Sequence, residues 1–282
     1  MEAIVIQTLN GVSLASILVL TSLGLAVIFG MLGVVNLAHG ELFMLGAYAV
    51  ATMNMFGLSP WWGLLVAPIV VGAIGMLMER TIIRWLYHRP LDTLLATWGV
   101  SIVLRQVVRL IYGTGHMSST SLMVGSTTVF GYEYPIYRLF LIGITVVIVL
   151  VTFLLYFKTN FGLKIRLVIS NRSMARALGI NTSKTDMWAF GIASALGGLA
   201  GAIMSPLVTI DPEMGLTFLA KGFIVVIVGG IGSLYGVIAG GVVIGGGEAA
   251  ISFLLRPVVA QIIIVLLAIV IIRVRPKGIT GG

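Results

Sequence analysis

The chain has no cysteine, and only 9% of its 282 residues are charged. The first absence excludes disulfides, thiolate metal sites and cysteine nucleophiles. The second excludes a soluble domain: such domains carry about a quarter charged and about half apolar residues. Here 59% are hydrophobic and the mean hydropathy is +1.14. Motifs are missing too. The nearest approach to the phosphate-cradling G-x-x-x-x-G-K-[ST], GINTSKT at 179–185, has Ser183 where the second glycine must stand. No HEXXH spacing joins His39, His88 and His116 to an acidic partner, so no metal site is expected, and no nucleophile elbow marks an enzyme. The amino terminus, MEAIVIQTLNG, lacks a basic n-region and a small-residue cleavage site, so the first apolar run is expected to be retained as a span.

What is present is a succession of apolar runs. A helix needs about 20 apolar residues to cross the hydrocarbon. By that rule the chain is an all-α integral membrane protein, one polytopic transmembrane helical bundle over 1–282. The runs fall near 9–31, 37–56, 62–85, 91–112, 137–157, 187–208, 218–228, 237–254 and 258–272. The seventh is short for a full crossing, so eight spans with a re-entrant piece stand beside nine. Glycine, at 36 residues, is abundant, and Gly197/Gly201, Gly236/Gly240 and Gly241/Gly245 stand four apart, the spacing that lets helices approach closely.

Twelve of the 17 basic residues sit in three stretches between or after the apolar runs, not on one soluble face, which excludes a nucleic-acid reading of the net charge of +8. Arg80, Arg84 and Arg89 mark one loop, Arg273, Arg275 and Lys277 the tail, and the stretch 158–186 holds six more. All three lie on one side when the N-terminus is outside and the C-terminus cytoplasmic. Within 158–186, RSMARALGI at 172–180 reads as a short amphipathic helix ended by Gly179 and lying on the membrane face. Sequons at Asn171 and Asn181 fall in this inward loop and are discounted as glycosylation sites.

Ionisable and polar groups inside apolar runs are costly and are therefore the functional candidates. Glu248 follows Gly245, Gly246 and Gly247, where a locally unwound helix would offer backbone groups and a carboxyl to a solute. Asn36, His39 and Glu41 lie between the first two runs, Asn36 placed to cap a helix and the other two flanking Gly40 as if serving one cavity. In the fourth run Thr93, Thr97 and Ser101 recur every four residues beside Trp98, a hydroxyl stripe next to an indole that suits a neutral hydrogen-bonding solute. Arg105 and Arg109, farther along, are expected to snorkel to the headgroups.

Three segments carry a family resemblance: NLAHGELFMLGAY at 36–48, NRSMARALGINTSKTD at 171–186, and the run from Pro212 through VGGIGSLYGVIAGG at 228–241. Together they resemble the permease subunits of bacterial ABC importers for branched-chain amino acids and their relatives. The resemblance implies a permease without a cofactor of its own, in the bacterial inner membrane. It implies a second homologous permease forming a heterodimer, two cytoplasmic ATP-binding subunits that bind the ATP, and a periplasmic solute-binding protein. It also implies that Arg172, Ala175, Arg176, Ala177, Leu178 and Gly179 form a coupling helix received by the ATPase, inside a cytoplasmic coupling loop at 158–186. RPLDTLLATWGVSIVLRQ at 89–106 is most similar to the urea branch, which makes urea the expected solute, with branched-chain amino acids or short-chain amides as the alternative. A passive small-solute channel is the competing class, and a membrane scaffold a third.

Overall fold

The computed structural model describes residues 2–31, 33–87 and 89–280. His88 lies outside them. Each of the nine apolar segments is helical. Among the described residues seven helices are long and apolar enough to cross a membrane. They are α1 (Glu2–Ala26, prolonged by a π turn at Val27–Met31), α3 (Pro60–Thr81), α4 (Pro90–Tyr112), α5 (Ile136–Lys158), α8 (Thr182–Met204), α10 (Leu234–Gly241) continued by a π turn into α11 (Gly247–Leu254), and α12 (Pro257–Val274). Two further helices, α2 (His39–Met55) and α9 (Met214–Gly229), have 17 and 16 residues. Their first turns meet inside the bundle, where Gly40 lies against Gly215 and the rings of Phe43 and Phe218 stack at 4.4 Å. The short seventh segment thus ends on another helix.

The basic stretch holds more helix than its charges suggested. Besides α7 (Arg172–Ala177) it contains α6 (Asn160–Ser170), started by Thr159, whose hydroxyl accepts from the Gly162 amide at 3.1 Å. Asn171 caps α7 and Asn181 caps α8 through their side-chain oxygens, at 2.9 and 3.0 Å. Capping by Asn181 is why α8 begins at Thr182, ahead of the apolar run. Gly179 closes α7 with φ +80°, a left-handed conformation that suits glycine.

Inside lipid, helices associate by close packing and not by the hydrophobic effect, so small residues decide which faces meet. The core is built on α8, which packs against both α3 and α2. A side chain at Gly46 would strike the Gly198 carbonyl, and one at Gly201 the Phe43 carbonyl. Of the glycines at 245–247, Gly245 serves the same purpose; the helix widens into the π turn Val242–Gly246 without breaking, and Gly247 keeps helical dihedrals of −63° and −45°. Gly245 sits 2.6 Å, measured from an added Cβ, from Ala15 Cα, so backbone approach to α1 takes up what was expected to be a break.

The two ends of the bundle differ. One carries the hairpin β1 (Ser126–Val129) and β2 (Tyr132–Pro135), turning at Phe130 and Gly131 with φ +51° and +86°. There Met117 and Ile210 exchange backbone hydrogen bonds of 2.8 and 2.9 Å. The other end carries residues 82–87 and 89, α6, α7 and the tail, where the Ile279 amide donates to the Val228 carbonyl at 2.9 Å.

Candidate functional site

The turn entering α2 is buried and polar. Asn36 does not cap the helix; its Oδ1 accepts from the Ala38 amide at 3.0 Å and shapes the preceding turn, while Nδ2 finds no partner. His39 is wedged between Gly24 of α1 and Gly197 of α8, and neither ring nitrogen has a partner. Glu41, two residues on and so about 200° around the helix, faces α4. The two side chains therefore look in different directions. His39 lines a cavity of about 10 Å³ with Thr21, Phe43, Phe218 and Gly222, room for about one water. Glu41 accepts from the Ser101 hydroxyl at 2.9 Å.

The stripe on α4 is a single buried face, as its spacing implies. Thr93 donates to the Leu86 and Arg89 carbonyls at 2.8 and 2.9 Å, fixing the start of α4. Thr97 accepts from the Leu37 amide at 3.1 Å and ties α4 to the approach of α2. Trp98 is turned away from the hydroxyls and is 55% exposed on the outward surface of α4, so indole and stripe are not side by side.

Arg105 corrects the expectation of snorkelling. It continues the stripe inward, with Nε 3.2 Å from Glu41 Oε1, and its Nη1 donates to Glu213 Oε2 at 3.0 Å. Arg109, one turn on, pairs with the other oxygen of Glu213. A buried charge survives in a low-dielectric interior only when paired, and here the pairing supplies a reason that membrane-edge solvation did not. The recurrence 97, 101, 105, 109 was the available signal. For Glu213, in a loop, there was none.

Glu248 is also paired. Its carboxylate lies 3.2 Å from Lys221 Nζ of α9. Lys221, a cation inside an apolar run, met the same criterion that singled out Glu248 and was overlooked.

At the basic end a second buried cluster holds α7 against the bundle. Arg172 donates to Asp186 of α8 at 2.7 Å and its guanidinium lies 4.8 Å over the Tyr87 ring. The Tyr87 hydroxyl donates to Glu79 of α3 at 3.4 Å, and Arg84 donates to the same carboxylate at 3.3 Å. Burial, reinforced by the Asp186 and Glu79 carboxylates, pushes the Tyr87 phenol well above its ordinary range, so it stays a neutral donor. Arg176 donates to Thr182 at 3.2 Å. Of the remaining coupling candidates Ala175 is buried and Leu178 is exposed, while nothing would meet a side chain at Gly179.

A cavity of about 690 Å³ lies elsewhere, between α1, α5 and the α10–α11 helix. Its lining is almost wholly apolar, with no charged residue. It suits a hydrocarbon chain better than a polar solute.

Comparison with known proteins gives these sites a context. Residues 7–272 match the family described as branched-chain amino acid transport system, permease component. The chain is 32% identical to the high-affinity branched-chain amino acid transport system permease protein LivH of Escherichia coli, over 98% of this chain and 94% of that one. It is 29% identical to the corresponding protein BraD of Pseudomonas aeruginosa, over 98% and 95%. It is 26% identical to the permease protein LivM of Escherichia coli, over 82% of this chain and 60% of that one. No solved structure matches.

Proposed function

Since the chain belongs to the family of branched-chain amino acid transport permease components, we propose that it is the LivH-type membrane subunit of an ATP-driven importer of branched-chain amino acids. The carrying observation is the family match over 7–272 together with relatives that align along nearly their whole length. Similarity to both LivH and LivM supports pairing with a second, homologous permease. The hairpin end faces the periplasm and a solute-binding protein; the basic end faces the cytoplasm and two ATPase subunits, in the bacterial inner membrane. The solute path runs by the start of α2 and the buried face of α4, through Asn36, His39, Glu41, Thr93, Thr97 and Ser101, with Trp98 on the outward face of α4 and Glu248 on α11.

In this reading α7 receives the ATPase stroke. Arg172 passes it to α8 through Asp186 and to α3 through Tyr87 and Glu79. Because α8 and α3 grip α2 through glycine contacts, the stroke displaces the polar turn at 36–41. Reconstitution with the ATPase and binding-protein partners tests this. Leucine uptake requiring ATP is expected. Gly179→Glu should leave ATP hydrolysis running while uptake stops, and coupled uptake by that variant would refute the role of α7.

A second reading, urea or a short amide as solute, is favoured by the similarity of 89–106 to the urea branch. Competition of labelled leucine uptake by urea and by acetamide separates the two. A passive channel would instead conduct without any ATPase.

A further inference from the structure

The linked charges Glu41, Arg105, Glu213 and Arg109 have a chemistry that goes beyond holding helices together. They run from the hairpin end to the bundle centre with falling exposure: the side chain of Glu213 is 50% exposed, that of Arg105 16%, that of Glu41 0%. Each interior member keeps capacity in reserve. Glu41 Oε2 is buried with no hydrogen-bond partner, and Arg105 Nε, though 3.2 Å from Glu41 Oε1, is not aligned for a hydrogen bond. The unused Oε2 points to the meeting point of two helix starts, 2.8 Å from where a Gly215 Cβ would stand. Both α2 and α9 turn the positive ends of their dipoles to this spot, which suits the carboxylate oxygen already there and leaves the Arg105 side of Glu41 for a solute ammonium.

We propose that these four residues form a charge ladder that passes a zwitterionic α-amino acid inward, its carboxylate held by arginine and its ammonium by a carboxylate. This rests on the amino-acid reading above and specifies how the solute is recognised within it. At the outer rung the solute carboxylate takes the place of Glu213 on Arg109 and Arg105, whose planar guanidinium can hold a carboxylate with two parallel bonds. At the inner rung the solute inserts between Arg105 and Glu41, its ammonium on Glu41 Oε1, the oxygen that Arg105 faces, and its carboxylate on Arg105. No covalent bond breaks. The inserted solute is neutral overall, so every stage exchanges one paired state for another and leaves no buried charge uncompensated. A neutral amide or urea has no charge to exchange and would leave the Glu41–Arg105 pair closed. The first turns of α2 and α9 close on this spot through Gly40 and Gly215, so entry of the solute requires them to part.

Because this chain has no cysteine, a thiol introduced into it is the only one it carries, and labelling is read on this chain. Ser101, which donates to Glu41, is replaced by cysteine in the full reconstituted complex, and its rate of modification by a small thiol reagent is followed. Leucine, delivered by its binding protein under turnover, is expected to slow modification at least about threefold. The protection should vanish when Glu41→Gln is added, and urea should give none. In parallel, Arg105→Gln should lower leucine uptake at least about tenfold, as expected for loss of one member of a buried pair. Arg105→Lys should recover part of it, which a packing role alone would not allow. Should Ser101→Cys not reach the membrane, Thr97→Cys, one turn away, carries the same measurement. Leucine uptake at the wild-type rate by Glu41→Gln, or modification indifferent to leucine in a complex that transports it, would overturn the ladder and leave the transport reading standing. A wild-type complex that moves urea but not leucine would overturn that reading, and the ladder with it.

Discussion

The two buried charge clusters of this chain are built alike and placed differently. At the basic end the carboxylates of Glu79 and Asp186 meet arginines that are still partly in water, with Arg84 32% and Arg172 26% exposed. In the centre Glu41 meets an arginine that is 16% exposed. The sequence distances differ as well. Arg84 and Glu79 are five residues apart and Arg172 and Asp186 fourteen, whereas Ser101 and Glu41 are sixty apart and Arg105 and Glu213 more than a hundred. A cluster closed by short loops beside water can give and re-form under load. One closed across the bundle in low dielectric is either made or broken, which suits a gate better than a lever.

Removing one cation from each cluster would break this comparison most directly. Arg105→Ala strands Glu41 at the centre and should destabilise the chain by about 3–5 kcal/mol, the usual consequence of leaving a buried charge unpaired. Thermal unfolding in detergent reads it, and adding Glu41→Gln should restore most of the loss. Arg172→Ala leaves Asp186 with Arg176 still nearby, so a loss of about 1.5–3 kcal/mol is expected. Its larger effect should be functional, with ATP hydrolysis continuing while uptake falls. Equal destabilisation by the two changes would remove the distinction between lever and gate.

What the sequence made legible follows the same division. The helices, their glycine contacts and the hydroxyl face of α4 rest on periodicity within one segment, and they were read correctly. The length of α7 and its glycine end were local too. Arg105 lay on the same four-residue stripe, yet its partner Glu41 was distant in the chain. With no sign of a counter-ion, snorkelling was the cheaper expectation. Asn36 as a cap failed for a different reason: a side-chain oxygen can bond its own turn two residues on as readily as a helix start, and composition does not tell the two apart. Glu248 was found by its cost in lipid, and the same rule applied to Lys221 would have found the pair.

The smallest expected effect sharpens the lever end of the comparison. The six-residue α7 is too short to hold itself together and depends on its cap, since helix nucleation is unfavourable and few internal bonds repay it. Asn171 accepts from the Met174 amide at 2.9 Å, and Asn171→Ala should cost about 1 kcal/mol, confined to this helix. Amide hydrogen exchange over 172–177 should then quicken about fivefold, the equivalent of that free energy, with exchange in α2 unchanged. Asn171→Ser should restore protection, because serine caps nearly as well. If α7 is the element that carries force, the alanine variant loses uptake in proportion to its loosened helix while Glu41, Ser101 and Arg105 stay in place. If uptake is untouched although exchange has quickened, the stroke enters the bundle elsewhere, and the adjoining α6 with its aromatic-stacked Arg166 becomes the surface to examine.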